Sequence, residues 1–111
     1  MRSFKLEFVS PEEYQILERV KSVAATGECG DFVILPRHED FVINLLPSVV
    51  IAVSDDDVES VFFASAGIAR FADSFCSLVC DFIKPLEDKD LTDLSVLGRK
   101  KFLNKYIASY T

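Results

Sequence analysis

Few side chains of this 111-residue sequence have a type and a spacing that suit catalysis. His38 is the one histidine, and Glu39 and Asp40 follow it directly. A metal site needs three or four converging ligands, whereas adjacent residues of a strand point to opposite faces. We therefore expect His38 to make a loop or edge contact rather than to bind a metal or transfer protons.

The three cysteines are Cys29, Cys76 and Cys80, so one thiol stays unpaired in any arrangement. This odd number and the lack of an N-terminal signal pattern favour a reducing, intracellular compartment. The spacing of Cys76 and Cys80 places both on one face of a strand, which is typical of small buried apolar residues, with a redox or metal role as the alternative. Cys29 lies in a turn between two glycines, where we expect an exposed thiol that reacts with thiol reagents.

Motifs for nucleotide binding and covalent catalysis are missing from the sequence. The glycines fit neither the dinucleotide nor the nucleoside-triphosphate spacing, and no serine stands in the strand-to-helix elbow of a hydrolase. A formal net charge of −6 argues against nucleic-acid binding. The longest uncharged run, Phe41–Ser54, is too short to cross a membrane. The basic residues between Arg99 and Lys105 form either a solvated helix face or a contact for an acidic partner.

The elements that must position these residues are mostly strands. Alternation over Phe4–Val9 predicts a half-buried strand, and the Val- and Ile-rich region after it predicts several short ones. The polar turn at residues 54–57 predicts a hairpin between Val49–Val53 and Val58–Ala64. Gly67 permits a close approach or a bulge. A last strand is predicted over Cys76–Phe82.

The sequence changes character after this last strand. Lys84–Lys89 is polar and contains a proline, so it is predicted to be a connector. From Asp90 onward, leucines and tyrosines recur at mostly helical spacing and predict one C-terminal helix.

Residues 10–24 give two conflicting signals. Ser10-Pro11-Glu12-Glu13 has the form of a helix start, with Ser as N-cap, Pro at the first helical position and Glu three residues after the cap. Apolar residues from Tyr14 to Ala24 would continue one helical face. The local pattern alone therefore predicts a helix.

A loop from Thr26 to Asp31 leads into the apolar stretch Phe32–His38. Gly27 and Gly30 allow a sharply folded tip that carries two acids, and Pro36 ends the strand. Such a rigid acidic projection from a β scaffold suits docking onto another protein.

This region and three others resemble the epsilon subunit of F-type rotary ATP synthases, called delta in mitochondria. The N-terminal element of that family corresponds to Val9-Ser10-Pro11-Glu12. Its glycine-rich run ending in Ile-Leu-Pro-Gly-His is matched by Thr26, Gly27, Gly30, Ile34, Leu35, Pro36 and His38. Two further elements are matched by Leu45, Pro47 and Val49, and by Ser65, Ala66, Gly67 and Ile68. The matches keep one order over roughly residues 4–83, and the ordered set is far more specific than any single motif.

The resemblance implies a mainly β fold, a two-sheet β-sandwich of about ten short strands followed by a C-terminal α-helix. The sandwich would occupy residues 1–84, and a linker with a single helix would occupy residues 85–111. Residues 10–24 would be strand and turn, so tertiary pairing should override the capping signal. The structural turn positions would be Gly27, Gly30, Pro36, Pro47 and Gly67. The family usually has glycine where this sequence has Val33, Arg37, Ser48 and Ala66, so we expect altered turns there.

The resemblance also implies a function without catalysis or cofactors. Family members sit in the central stalk, peripheral to the cytoplasmic face of the bacterial inner membrane, with the gamma subunit and the c-ring as partners. The loop tip and the histidine region face the ring, so the candidates for that contact are Glu28, Cys29, Asp31 and His38. Asp31 could pair with a basic or amide group of the c loops.

The tail departs from the family pattern. Members commonly carry two C-terminal helices, and the second can inhibit ATP hydrolysis. Residues 85–111 contain sequence for one helix, so we expect no inhibitory insertion. Leu91–Val96 lacks the Asp, Arg and Ala of the family's ATP-binding element, so we expect no ATP binding. The alternative to the whole assignment is a β-sandwich adaptor of another assembly that resembles the family by fold alone.

Overall fold

The computed structural model describes residues 3–86, which form nine β-strands. The strands are β1 (Phe4–Val9), β2 (Tyr14–Gly27), β3 (Gly30–Ile34), β4 (Phe41–Leu45), β5 (Ser48–Ser54), β6 (Glu59–Ala64), β7 (Gly67–Ala72), β8 (Phe75–Cys80) and β9 (Ile83–Pro85). The mainly β prediction is confirmed, with nine strands here where about ten were expected. None of the described residues forms a helix that could cross a membrane. The predicted C-terminal helix, its basic residues and the Leu91–Val96 element lie outside the described residues.

The strands form two layers that share β2, giving a sandwich-like arrangement. In one layer β1, β8, β7 and β4 lie side by side, with β1 parallel to β8 and the other pairs antiparallel. In the other layer β5, β6 and β9 follow β2 on one side, and β3 pairs with β2 on the other. Residues Tyr14–Val20 of β2 pair with β1, whereas its second half pairs with β3 and β5. Because β2 belongs to both layers, it ties them together.

The passage of β2 from one layer to the other occurs near Val20. The register shifts there in both the β1–β2 and the β2–β5 pairings. Arg19, just before it, has a φ of 56°. An irregular residue of this kind bends a strand and increases its local twist. The bend allows one strand of 14 residues to serve both layers.

The helix-start signal at residues 10–13 produces a turn instead of a helix. The N–H of Glu13 donates to Ser10 Oγ at 3.1 Å, which is the bond that an N-cap serine makes. The N–H of Ser10 also donates to the carbonyl of Glu13 at 2.9 Å, and this bond closes the turn. The chain then enters β2, where β1 supplies its backbone partners. The expectation that tertiary pairing overrides the local signal is confirmed.

Alternate residues of the strands fill the space between the layers. Leu6 and Phe8 of β1 are fully buried, as the alternation in the sequence predicted. The rings of Phe8 and Phe62 meet at a centroid distance of 4.4 Å across the core. A smaller apolar cluster around Phe63 and Leu86 lies on the other face of β6.

The remaining predictions about strands and turns are mostly confirmed. β5 and β6 form the predicted hairpin, with Asp57 at a φ of 66° in its turn. The last long strand, β8, ends at Cys80 rather than at Phe82. The connector prediction is wrong for Lys84 and Pro85, which belong to β9 and pair with β6. Proline is tolerated there because β9 lies at the edge of the sheet that residues 3–86 form.

The residues that replace family glycines carry no backbone strain. Positive φ values occur at other non-glycine residues: Arg19, Asp57, Asp73 and Ser74. Val33, Arg37, Ser48 and Ala66 therefore have backbone angles that L-residues adopt readily. Val33 lies in β3 and Ser48 in β5, and all four positions accept a side chain without a left-handed conformation.

Candidate protein-binding surfaces

The acidic loop predicted from the sequence is the two-residue turn between β2 and β3. Gly27 pairs with Gly30, so Glu28 and Cys29 form the tip. Gly30 has a φ of 114°, which strongly favours glycine. A Cβ on Gly27 would come within 2.7 Å of Ile43 Cγ2, because β4 passes close beside it. Both glycines are thus required for the shape of the tip, and the sharp fold predicted here is confirmed.

Glu28 and Asp31 are exposed, but each is held in place by a hydrogen bond. The side chain of Asn44 donates to Glu28 Oε1 at 2.9 Å, and the backbone N–H of Glu28 donates to the carbonyl of Asn44 at 3.1 Å. The hydroxyl of Thr26 donates to Asp31 Oδ1 at 2.6 Å. Glu28 is therefore fixed to β4 and Asp31 to β2. Each carboxylate keeps acceptor capacity for a donor from outside the chain.

The structure does not bring His38 to this acidic tip. Its N–H donates to the carbonyl of Leu35 at 3.0 Å and closes a turn that contains Pro36. Its ring lies edge-on to Phe41 at a centroid distance of 4.8 Å. Phe41 and Asn44 are three residues apart on β4, so His38 and Glu28 contact positions separated by about 10 Å along that strand.

The surroundings of His38 are those of a surface loop. No group of three or more potential metal ligands occurs in residues 3–86. His38 is exposed, and its Nδ1 lies 2.8 Å from the carbonyl oxygen of Glu39. The expectation of a loop contact at His38 is consistent with this geometry.

The cysteines divide as the sequence predicted. Burial raises the pKa of Cys76 to about 12. Burial, helped by the charge of Asp81, raises the pKa of Cys80 to about 11. A buried thiol with so high a pKa is a poor nucleophile and a poor metal ligand, so the redox alternative is not supported. Cys29 is exposed at the tip.

A second surface, which the sequence interpretation missed, is an exposed apolar face on the layer of β4, β7, β8 and β1. Ile68 is 47 % exposed and lies opposite Val79, which is 48 % exposed. The row continues through Val9 to Tyr14, which is 61 % exposed. In the neighbouring row Val42 is 67 % exposed, and the exposed arginine of β7 lies opposite it. Contiguous apolar groups of this kind mark interaction sites on soluble proteins.

The sequence carried a signal for this apolar face. Leu78-Val79-Cys80 is a continuous apolar run, and Ile68-Ala69 continues the same pattern in β7. Strands that face water on one side alternate, whereas continuous runs indicate that both faces are covered. Val79 and Ile68, the residues of these runs that face outward, therefore indicate that a partner covers this face.

Polar groups at the centre of the apolar face are also ordered. Ser77 Oγ donates to Glu7 Oε2 at 2.5 Å, joining β8 to β1. A hydrogen bond with Glu7 raises the pKa of the exposed Tyr14 hydroxyl. Asn44, which holds Glu28 at the tip, lies opposite Ile68 in β7. The apolar face and the acidic tip are thus adjacent parts of one surface.

Comparison with known proteins gives matches over the same residues. The family model described as "ATP synthase, Delta/Epsilon chain, beta-sandwich domain" matches residues 3–85. The "ATP synthase epsilon chain" of Wolbachia pipientis wMel is 28 % identical over 110 residues, which cover 99 % of this chain and 91 % of that protein. The protein of the same name from Gluconacetobacter diazotrophicus is 30 % identical over 110 residues, covering 99 % of this chain and 74 % of the relative.

Solved structures support the fold. A chain of the Euglena gracilis mitochondrial ATP synthase, in a structure of OSCP/F1/c-ring, superposes with a TM-score of 0.73 at 14 % identity and covers 100 % of this chain and 83 % of its own length. A chain of the Tetrahymena thermophila mitochondrial ATP synthase, in a structure of the central stalk and c-ring, gives a TM-score of 0.65 at 14 % identity, with 100 % and 98 % covered.

Proposed function

We propose that this chain, which belongs to the ATP synthase delta/epsilon chain family, is a non-catalytic central-stalk subunit of a proton-translocating F-type ATP synthase. It would couple the rotation of a c-ring to the gamma subunit during ATP synthesis. Bacterial relatives support a location at the cytoplasmic face of the inner membrane, peripheral to the bilayer.

The observation that carries this proposal is the rigid acidic tip on a strand shared by both layers. Glu28, Cys29 and Asp31 are the proposed contact with the polar loops of the c-ring, and His38 is a second contact about 10 Å away along β4. A force applied at the tip passes along β2 into both layers, and through the two hydrogen bonds between Glu28 and Asn44 into β4. A flexible loop would yield under such a force, whereas this tip is held at several points.

The apolar face is the proposed contact with the gamma subunit. It includes Val42, Ile68, Val79 and Tyr14, and it borders the acidic tip at Asn44. A partner that covers these side chains removes apolar surface from water, which is the main source of stable association. One molecule then offers an acidic contact to the ring and an apolar contact to the stalk.

The contact at the tip is tested by Asp31→Lys in a reconstituted ATP synthase. The reversed charge should lower the ratio of ATP-driven proton pumping to ATP hydrolysis, because it removes an acceptor for c-ring donors. Asp55→Lys is the matched control, since Asp55 is exposed near the β2 residue Val20, about 23 Å along β2 from the tip. Wild-type coupling in Asp31→Lys would remove Asp31 from the proposed contact.

The contact with gamma is tested by a pull-down with the purified gamma subunit. Ile68→Asp should weaken binding about tenfold or more, because a carboxylate would be buried without a partner. Val58→Asp is the control, since Val58 is 57 % exposed but lies in the β5–β6 turn, away from the apolar face. Equal binding of both variants would contradict the assignment of this face. Failure of the wild-type chain to bind gamma or to co-purify with c subunits would instead favour an adaptor of another assembly.

A further inference from the structure

The strand β3 has an open edge in the described part of the chain. Among residues 3–86, β3 pairs with β2 alone. β9 is an edge of a different kind, because it has three residues and ends in proline. An edge strand presents unpaired N–H and C=O groups, and these form a template for a further strand.

The register of the hairpin identifies which groups face outward. Residues of an antiparallel pair alternate between hydrogen-bonded and non-hydrogen-bonded positions, and Gly27 and Gly30 flank a two-residue turn as a hydrogen-bonded pair. Asp31 opposite Thr26 and Val33 opposite Ala24 are therefore non-hydrogen-bonded positions. Their N–H and C=O groups point away from β2.

An independent contact supports this alternation. The carbonyl of Thr26 accepts a hydrogen bond from the N–H of Leu46 at 3.0 Å, so it points away from β3. On the same side of β2, Ala24 pairs with Ile51 of β5. Since Thr26 and Ala24 direct their backbone groups away from β3, their partners Asp31 and Val33 must direct theirs to the open edge.

The side chains along the open edge define the chemistry of a fitting strand. Asp31 and Val33 lie on one face of β3, and Val33 is 53 % exposed. One oxygen of Asp31 is held by Thr26, and the other is available to an external cation. Glu28 adds a second acid at the same end, and the chain as a whole carries a net charge of −6. Opposite charges on facing strands stabilise the pair, whereas like charges destabilise it.

We propose that the open edge of β3 binds an extended, basic segment of another polypeptide as an added strand, through the backbone of Asp31 and Val33. A Lys or Arg of that segment pairs with Asp31, and a β-branched residue packs on Val33. This proposal adds a binding mode to the function proposed above. It rests on that function only for the identity of the assembly from which the segment comes.

Amide exchange measured by NMR on the full chain tests the proposal without any other ATP synthase subunit. In the free chain the amides of Asp31 and Val33 should exchange fast, while those of Phe32 and Ile34, which face β2, are protected. The probe is a short synthetic peptide of repeated Lys-Thr-Val-Thr (the Val–Lys peptide), in which Lys and Val alternate along one face as Asp31 and Val33 do. The control is the same peptide with Glu in place of Lys (the Val–Glu peptide). We expect the Val–Lys peptide to slow exchange at Asp31 and Val33 about tenfold or more.

Three results would overturn the proposal. These are unchanged fast exchange with the Val–Lys peptide, equal protection by the Val–Glu peptide, and protection that rises with chain concentration together with a dimer mass in light scattering. If the Val–Lys peptide gives no protection while the wild-type chain still binds gamma, the proposal about the open edge is refuted and the central-stalk proposal stands.

A backbone variant gives a second readout of the same site. Val33→Pro removes the outward N–H without removing a hydrogen bond to β2, so the chain should keep its far-UV spectrum and lose peptide binding. Val33→Thr keeps the N–H and a β-branched side chain, so it should bind the peptide normally. Peptide binding by a folded Val33→Pro chain would contradict the edge geometry, and the exchange measurement decides the question if that variant does not fold.

Discussion

Replacing Gly67 by alanine tests the closest backbone contact in the fold. Gly67 begins β7 and pairs with Cys80 of β8, beside the apolar face. A Cβ at this position would lie 2.0 Å from the carbonyl oxygen of Val79 and 2.9 Å from Cys80 Cα. Both are backbone atoms, so no side-chain rotation relieves the clash.

The cost follows from the distance that β7 and β8 must separate. A carbon and a carbonyl oxygen make contact at about 3.3 Å, so the strands must move apart by about 1.3 Å. A backbone hydrogen bond stretched by that amount is lost, and two or three such bonds contribute about 1 kcal/mol each. Loosened packing under β7 adds a further 1–2 kcal/mol or so. We expect Gly67→Ala to lower the free energy of unfolding by about 4 kcal/mol, a large part of the roughly 5–15 kcal/mol typical of a domain.

Urea unfolding followed by far-UV circular dichroism measures this cost, and Gly30→Ala is the matched control. A Cβ on Gly30 meets nothing within 4 Å, but the residue has a φ of 114°. Its replacement should therefore cost only backbone strain, about 1–2 kcal/mol. A free energy of unfolding for Gly67→Ala within about 1 kcal/mol of the wild type, or a larger loss in Gly30→Ala, would refute the backbone clash at Gly67.

Two further predictions concern buried polar groups. Burial raises the pKa values of Cys76 and Cys80 to about 12 and about 11, from 9.0. Below about pH 9 the folded and the unfolded chain both keep these thiol protons. At higher pH the unfolded chain releases them first, so the free energy of unfolding should fall by up to about 1.4 kcal/mol for each thiol and each pH unit. Urea titrations at pH 8, 9 and 10 measure this fall. Cys76→Ala should make it shallower, and an equal slope in that variant would contradict the assignment. Ser48 Oγ is buried without a hydrogen-bond partner in the described part of the chain, whereas Ser65 Oγ accepts a backbone N–H at 2.9 Å. Ser48→Ala should raise the free energy of unfolding by about 1 kcal/mol and Ser65→Ala should lower it by a similar amount, and the opposite order in urea unfolding would refute this.

Much of the local structure could be predicted from the sequence, because it depends on neighbouring residues. The alternation of Phe4, Leu6 and Phe8 fixes which face of β1 is buried. The polar turn before Val58 marks the β5–β6 hairpin. Gly27 and Gly30 mark the tip, since one sits against β4 and the other needs a positive φ. In each case the residue types alone are enough to identify the local structure.

The candidate sites could be predicted only in part. The acids Glu28 and Asp31 were found from the sequence. The anchor of Glu28, Asn44, depends on the position of β4 beside the tip, and the anchor of Asp31, Thr26, depends on the register of the β2–β3 hairpin. The separation of His38 from the tip depends on the path of β4. His38 follows Asp31 closely in the sequence, yet the turn after β3 places it beyond the end of β3 that is away from the tip.

Sequence by itself determined a β chain with an acidic, glycine-shaped tip, because period-two burial and backbone angles are properties of local residues. Tertiary pairing decided that residues 10–24 form a turn and a strand, against their local helix signal and as the family resemblance implied. The capping bond at Ser10 does form, but β1 pairs with Tyr14–Leu17 in regular register, and a helix over these residues would leave that edge of β1 unpaired. It also decided that Val42, Ile68, Val79 and Tyr14 share one exposed face, since these residues come from four strands that only the sheet order makes neighbours.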